Sequence, residues 1–207
     1  MTGKFITLEG GEGAGKSTQA ALLATALRAE GVDVVETREP GGTPGAEAIR
    51  TLIVEGDPDR WSALTEVLLI NAARADHVAR LIRPALAAGK WVVCDRFIDS
   101  TLAYQGAGKG VPREALIQQH RLATANLWPD LTLLLDLDVA VGEARAASRG
   151  RLDRFEATGG GFHERIATAF RSFATNDPAR VRRIDAGLDP AAVTAAIWAE
   201  VEPLVAA

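Results

Sequence analysis

Gly10-Gly11-Glu12-Gly13-Ala14-Gly15-Lys16-Ser17-Thr18 is the stretch that decides how this chain folds. It follows the short apolar run Lys4-Phe5-Ile6-Thr7-Leu8-Glu9 and opens a helical pattern from Gln19 to Glu30. The spacing is G-x-x-x-x-G-K-S, and strand, loop and helix come in the order that a phosphate-cradling P-loop requires. Its glycines let successive backbone N–H groups curl inward, and the helix N-terminus adds partial positive charge. Lys16 is expected to reach the β- and γ-phosphates of a nucleoside triphosphate, and the Ser17 hydroxyl to ligate Mg²⁺. A flexible Gly-rich turn with a stray lysine is the plainer alternative. Only four lysines occur in the chain, however, and both flanks fit the motif.

Working outward, 207 residues suit one domain over 1–207 with a substantial core. Apolar residues at 47% and charged residues at 24% are the balance of an ordinary globular protein. A net charge of −4 argues against a dedicated nucleic-acid binder. The one cysteine, Cys94, cannot form an internal disulfide and is expected to pack in the core. No leader pattern precedes the first strand, and no apolar run approaches a membrane span. A cytoplasmic enzyme without a membrane partner is the expectation.

Along the chain, strands are expected at 32–37, 90–95, 131–136 and 181–185 besides the first. Helices are expected at 46–55, 64–87 with a kink at Pro84, 100–104, 112–127, 140–147, 164–175 and 190–202. Gly106 to Gly110 reads as a turn, and Arg38-Glu39-Pro40-Gly41-Gly42-Thr43-Pro44 as a tight, shaped loop. Strands alternating with helices imply a parallel sheet covered on both faces, with ligand at the strands' carboxyl ends.

A P-loop alone serves many chemistries. No Asn-Lys-x-Asp run is present to read guanine. Asp95-Arg96 ends an apolar strand, which would set a carboxylate beside the P-loop to hold Mg²⁺ through water and an arginine toward bound phosphate. Ser148 to Gly161 is rich in arginine and closed by glycines, as suits a mobile lid over a triphosphate. Arg74, Ser100 and Thr101 offer donors and acceptors for a base edge, and Tyr104 a rigid ring near a sugar. His77, His120 and His163 show no metal-ligand spacing and read as surface or partner contacts.

With these elements in place, the chain resembles the thymidylate kinases nearly end to end. The resemblance rests on the P-loop, Thr37-Arg-Glu-Pro-Gly-Gly-Thr43, Ala72-Ala73-Arg74, Asp95-Arg96, Ser100-Thr101, Tyr104-Gln105-Gly106 and Leu152-Asp153-Arg154-Phe155-Glu156. It implies a P-loop NTPase of the α/β class: a doubly wound five-stranded parallel sheet flanked by helices, with a lid at about 148–161. It implies transfer of the γ-phosphoryl of ATP to dTMP, Mg²⁺ dependence and a homodimer. Position by position, Arg74 matches the thymine-reading arginine, Thr101 its neighbour and Tyr104 the ring crowding the sugar's 2′ position. Arg96 matches the arginine between acceptor and donor phosphates, Glu12 the P-loop carboxylate, and Arg50 a dTMP-phosphate arginine. Arg38, Ser100 and Gln105 fall within the matched acceptor motifs.

One position departs. The family usually carries a base-stacking phenylalanine four residues before the reading arginine, and here that residue is Ile70. An apolar cover survives on the same helical face without ring stacking, unless a nearby ring such as Phe97 supplies it. The P-loop holds no arginine, so the resemblance puts the catalytic arginine in the lid, with Arg149 and Arg154 favoured over Arg151. Kinases of other pyrimidine nucleotides such as dUMP or UMP, and a non-catalytic ATP-binding switch, are the alternatives. The acceptor-side residues speak against a pure switch.

Overall fold

The computed structural model describes residues 3–57, 59–148, 154–155, 158–159 and 161–206. Five strands among them, β1 (Phe5–Glu9), β2 (Val34–Arg38), β3 (Trp91–Asp95), β4 (Leu131–Asp136) and β5 (Val181–Asp185), lie parallel in one sheet ordered β2-β3-β1-β4-β5. β1 sits in the middle, with Thr7 beside Cys94 on one side and Thr132 on the other. All of β1 and five residues of β4 are buried, whereas edge strands β2 and β5 are partly exposed. Continuous apolar runs therefore became central strands covered on both faces, as parallel sheets demand.

The helices are α1 (Lys16–Ala29), α2 (Pro44–Val54), α3 (Ala63–His77), α4 (Arg83–Ala87), α5 (Ile98–Thr101), α6 (Arg113–Thr124), α7 (Val139–Ala147), α8 (Phe162–Asn176) and α9 (Pro190–Val205). On one face Ile6, Leu8 and Leu133 meet Leu23 and Leu27 of α1 and Ile197 of α9. On the other, Phe5, Val92 and Cys94 meet Val67 of α3, Phe97 and Leu116 of α6. Each fully buried Leu or Phe stabilises by roughly 1.5–3 kcal/mol, so these two layers dominate the core. Cys94 is a free, fully buried member of that packing, as expected. The strands end at Glu9, Arg38, Asp95, Asp136 and Asp185, so one rim of an apolar sheet becomes charged. Ligands of open α/β sheets bind at that rim.

The helical expectations need three corrections. The long helix is α3 and α4 joined through a π-helical turn, Val78–Ile82, just before Pro84. Proline has no N–H and its ring clashes with the carbonyl four residues back, and the wider turn absorbs both. Gly106 and Gly108 do not mark a turn, because α5 runs on as π-helix from Leu102 to Gly108. A Cβ on Gly108 would come within 2.5 Å of the Phe162 ring, so this glycine serves close packing against α8. α9 continues through Pro203 to Val205, three residues past its expected end.

Candidate active site

Backbone builds the first half of the site. The loop from Gly10 to Gly15 leaves the carboxyl end of β1, and α1 begins at Lys16. Gly13 has φ 68°, and a Cβ there would meet the Gly142 carbonyl at 2.2 Å, so no larger residue fits where the loop packs against α7. Gly15 caps α1 without any side-chain hydrogen bond, which leaves its first N–H groups to a ligand. Gly15, Ser17 and Thr18 are exposed at this mouth, while Ala14 is buried beneath it. Gly10 and Gly11 lie behind, and the Gly11 carbonyl accepts from Lys16 Nζ at 2.6 Å. Burial and the charge of Arg96 lower the Lys16 pKa, although Glu12 and Asp95 oppose them.

Ser17 Oγ donates to Asp95 Oδ2 at 2.5 Å, and Asp95 Oδ1 is buried with no hydrogen-bond partner. One hydroxyl beside one carboxylate with a spare oxygen is a hard-oxygen pair that fits Mg²⁺, which keeps several waters and takes its other ligands from phosphates. Among the described residues no group of three or more His, Cys, Asp or Glu is arranged to hold a metal by itself.

Arg96 joins this half to the next. Its backbone has φ 70°, a region costly for a residue with a side chain, and its N–H is fixed by the Leu8 carbonyl at 2.9 Å. The guanidinium donates to Glu12 Oε1 at 2.6 Å, to the Gly10 carbonyl and Ser100 Oγ at 3.2 Å, and lies 4.9 Å from the Tyr104 ring centre. Tyr104 Oη also donates to Glu12 Oε1, at 2.5 Å. Burial alone would raise the Glu12 pKa, but the Arg96 and Lys16 charges and the Tyr104 hydrogen bond bring it down to about 2. Glu9, below, accepts from the Phe97 N–H and from Ser100 Oγ. Burial and the Asp99 charge push its pKa up to about 7.

Side chains build the second half. Arg74 of α3 is 2% exposed; its Nε donates to Glu39 Oε2 at 2.7 Å and its Nη2 to Thr101 Oγ1 at 2.9 Å. Its Nη1 is buried with no hydrogen-bond partner, and Arg74 lines a cleft of about 350 Å³. A carboxylate only accepts, so His77 Nδ1 donates to Glu39 Oε1, 3.1 Å away, while His77 Nε2 lies 2.8 Å from Thr37 Oγ1. Burial would raise the Glu39 pKa, yet Arg74 and His77 bring it below its usual value.

Ile70, Gln105 and Tyr104 line the same cleft as Lys16 and Ser17. Arg38 and Arg50 are there too, Arg38 reaching both Glu47 oxygens at 3.2 Å and Arg50 Nη1 the Pro40 carbonyl at 2.6 Å. Phe97 also lines the cleft, but its ring is fully buried with the Arg74 guanidinium 4.9 Å from its centre. Arg154 does not line it. Its Nε donates to the Ile53 carbonyl at 2.9 Å and its Nη1 to Glu66 Oε1 at 2.6 Å. Arg149 and Arg151 lie outside the described residues.

Two histidines correct the sequence reading. His77 and His120 are fully buried, not surface contacts: His77 holds Glu39, and His120 packs edge-on against Phe97 with its pKa lowered to about 4 by burial. Glu39, Glu66 and His77 were not singled out as site residues. The signal was present, because Glu66, Ile70, Arg74 and His77 recur at helical spacing on one face of α3.

The family model described as thymidylate kinase matches residues 8–197. The chain is 58% identical to the thymidylate kinase of Rhizorhabdus wittichii over 94% of its own length and 95% of the relative's. It is 54% identical to that of Ectopseudomonas mendocina over 100% and 99%. A crystal structure of thymidylate kinase from Ehrlichia chaffeensis superposes with a TM-score of 0.77 at 33% identity, covering 97% of this chain and 99% of that one. The chain belongs to the thymidylate kinase family.

Proposed function

We propose how this chain, an ATP:dTMP phosphotransferase that forms dTDP and ADP, divides the reaction between its two halves. One observation carries the reading: a single cleft is lined both by Lys16 and Ser17 of the P-loop and by Arg74, Thr101 and Tyr104. ATP lies with its phosphates on the loop and the α1 N-terminus, and Lys16 spans the β- and γ-phosphates. Mg²⁺ belongs at Ser17 and Asp95, where it would offset phosphate charge when bound. The buried Arg74 Nη1 is a donor for the thymine carbonyl, and Tyr104 stands against the sugar.

Arg96, with Arg38 and Arg50 at the rim, holds the acceptor phosphate. Glu12 stays ionised and keeps Arg96 in place. A dTMP phosphate oxygen then attacks the γ-phosphorus in line, and the bond to the ADP oxygen breaks. Little covalent chemistry falls to the protein, so positioning and charge account for the catalysis. The lid at about 148–161 closes over ATP with Arg149 as the catalytic guanidinium. Arg154, tied to Ile53 and Glu66, anchors the lid's base.

No observation favours another pyrimidine nucleotide as acceptor, nor a non-catalytic switch. The whole chain acts as one unit, as a homodimer in the cytoplasm, without a nucleic-acid or membrane partner. The assembly rests on the family resemblance, and the location on the expectation from sequence, with the lone cysteine among its grounds. Among the described residues no helix is long and apolar enough to cross a membrane. ADP release measured with dTMP, dUMP, UMP, dCMP and AMP tests the assignment. The highest kcat/KM belongs to dTMP; a higher value for another nucleotide, or ADP release independent of acceptor, overturns it.

A further inference from the structure

Glu66 is fully buried on α3, and besides tying Arg154 it holds a residue of the cleft. Its two oxygens have different partners. Oε1 accepts from Lys109 Nζ and from Arg154 Nη1, each at 2.6 Å, whereas Oε2 accepts from Gln105 Nε2 at 3.2 Å. An amide side chain can present either its oxygen or its nitrogen, and the neighbouring hydrogen bonds decide which. A carboxylate held by an ammonium and a guanidinium offers acceptors only, so the Gln105 NH₂ must face Glu66. The amide carbonyl is then the end left for the cleft, which Gln105 lines together with Ile70, Arg74 and Thr101.

We propose that Glu66 is a positioning residue for base selection: by fixing the Gln105 amide it presents a carbonyl acceptor to the edge of the bound base. The proposal rests on reading the cleft as a pyrimidine nucleotide site. Gln105 stands one turn after Thr101, which holds Arg74, so this acceptor shares a helical face with the anchor of the Arg74 donor. A pyrimidine with a carbonyl at C4 and a hydrogen on N3 satisfies both. A cytosine meets the same pair with an amino group and a bare N3, donor against donor and acceptor against acceptor. Leaving buried polar groups unpaired is what makes such a site reject the wrong base. The two cations on Oε1 keep the carboxylate from turning, so the selection is carried by a group that does not touch the nucleotide.

Glu66→Gln tests this. The new amide offers Gln105 a donor as well as an acceptor, so Gln105 is free to flip. Its kcat/KM for dTMP relative to dCMP should fall about tenfold, through a KM that rises for dTMP more than for dCMP, whereas any loosening of Arg154 slows both nucleotides alike. Damage to the fold alone would lower both nucleotides in parallel. A parallel loss or an unchanged ratio therefore overturns the proposal. Gln105→Met, which keeps Glu66, provides a second arm should Glu66→Gln not fold. It should lower the ratio by a similar factor, and an unchanged ratio in that variant also overturns the proposal. Wild-type protein that released no ADP with dTMP would contradict the acceptor assignment itself, a result separate from either variant's ratio.

Discussion

The two halves of the cleft, as proposed for donor and acceptor, are built by different means. On the donor side the backbone curl from Gly10 to Gly15 offers its free N–H groups and the α1 N-terminus to phosphate, and Lys16 adds charge. On the acceptor side Arg74, Thr101 and Gln105 come from α3, α5 and the π-helical segment, and buried partners hold Arg74 and Gln105. Arg74 is set by Glu39 and Thr101, Glu39 by His77, and Gln105 by Glu66. The difference teaches that a phosphate can be met by local backbone, whereas a base edge must be met by side chains whose orientation is fixed from a distance.

Lys16→Ala breaks the donor half and should have the largest effect. One cationic contact to the transferring phosphate disappears, so kcat should fall about 10³-fold or more. Affinity for dTMP, read by titration calorimetry, should hardly change. Turnover close to wild type in the folded variant would remove Lys16 from the mechanism.

Glu12→Gln probes the joint between the halves. The Glu12 pKa falls from 4.5 to about 2 on folding. The unfolded chain therefore binds more protons between those values, and the stabilisation is present above pH 4.5 and lost as pH falls toward 2. Its size is about 3 kcal/mol at pH 7. Urea unfolding of both proteins should show their difference shrinking between pH 4.5 and 3. A difference independent of pH would mean that Glu12 contributes packing, not charge.

Ile70→Phe sharpens the acceptor side and should have the smallest effect. Restoring a ring at this position should lower the KM for dTMP up to about tenfold, since stacking adds ~0.5–1.5 kcal/mol. An unchanged or higher KM would show that overpacking outweighs stacking there.

The same contrast explains what the sequence made legible. β4 has the bounds that its apolar run predicted, β5 the bounds expected despite its two arginines, and the P-loop was readable because its parts are contiguous. Arg74, Thr101 and Tyr104 were named in advance from their residue types and then from the family motifs, although spacing alone cannot say that Arg74 is buried. His77 and His120 were misread because a search for metal spacing does not ask about burial. Gly106 and Gly108 were misread because a glycine that admits a neighbouring side chain, Leu116 for the first and the Phe162 ring for the second, looks in sequence like one that makes a turn. Glu66 escaped notice because its partners are Lys109, Gln105 and Arg154, 39 to 88 residues away. What the sequence withheld were pairings across the fold.

Arg74→Met tests the division of labour most directly. In the folded variant, calorimetry should be run with dTMP and separately with ATP. The two-part site predicts that dTMP affinity falls at least about 30-fold, roughly 2 kcal/mol, because a buried donor to the base is lost. It predicts that ATP affinity stays within about twofold, since the P-loop is untouched. A parallel loss of both affinities, or dTMP binding that survives intact, would contradict it.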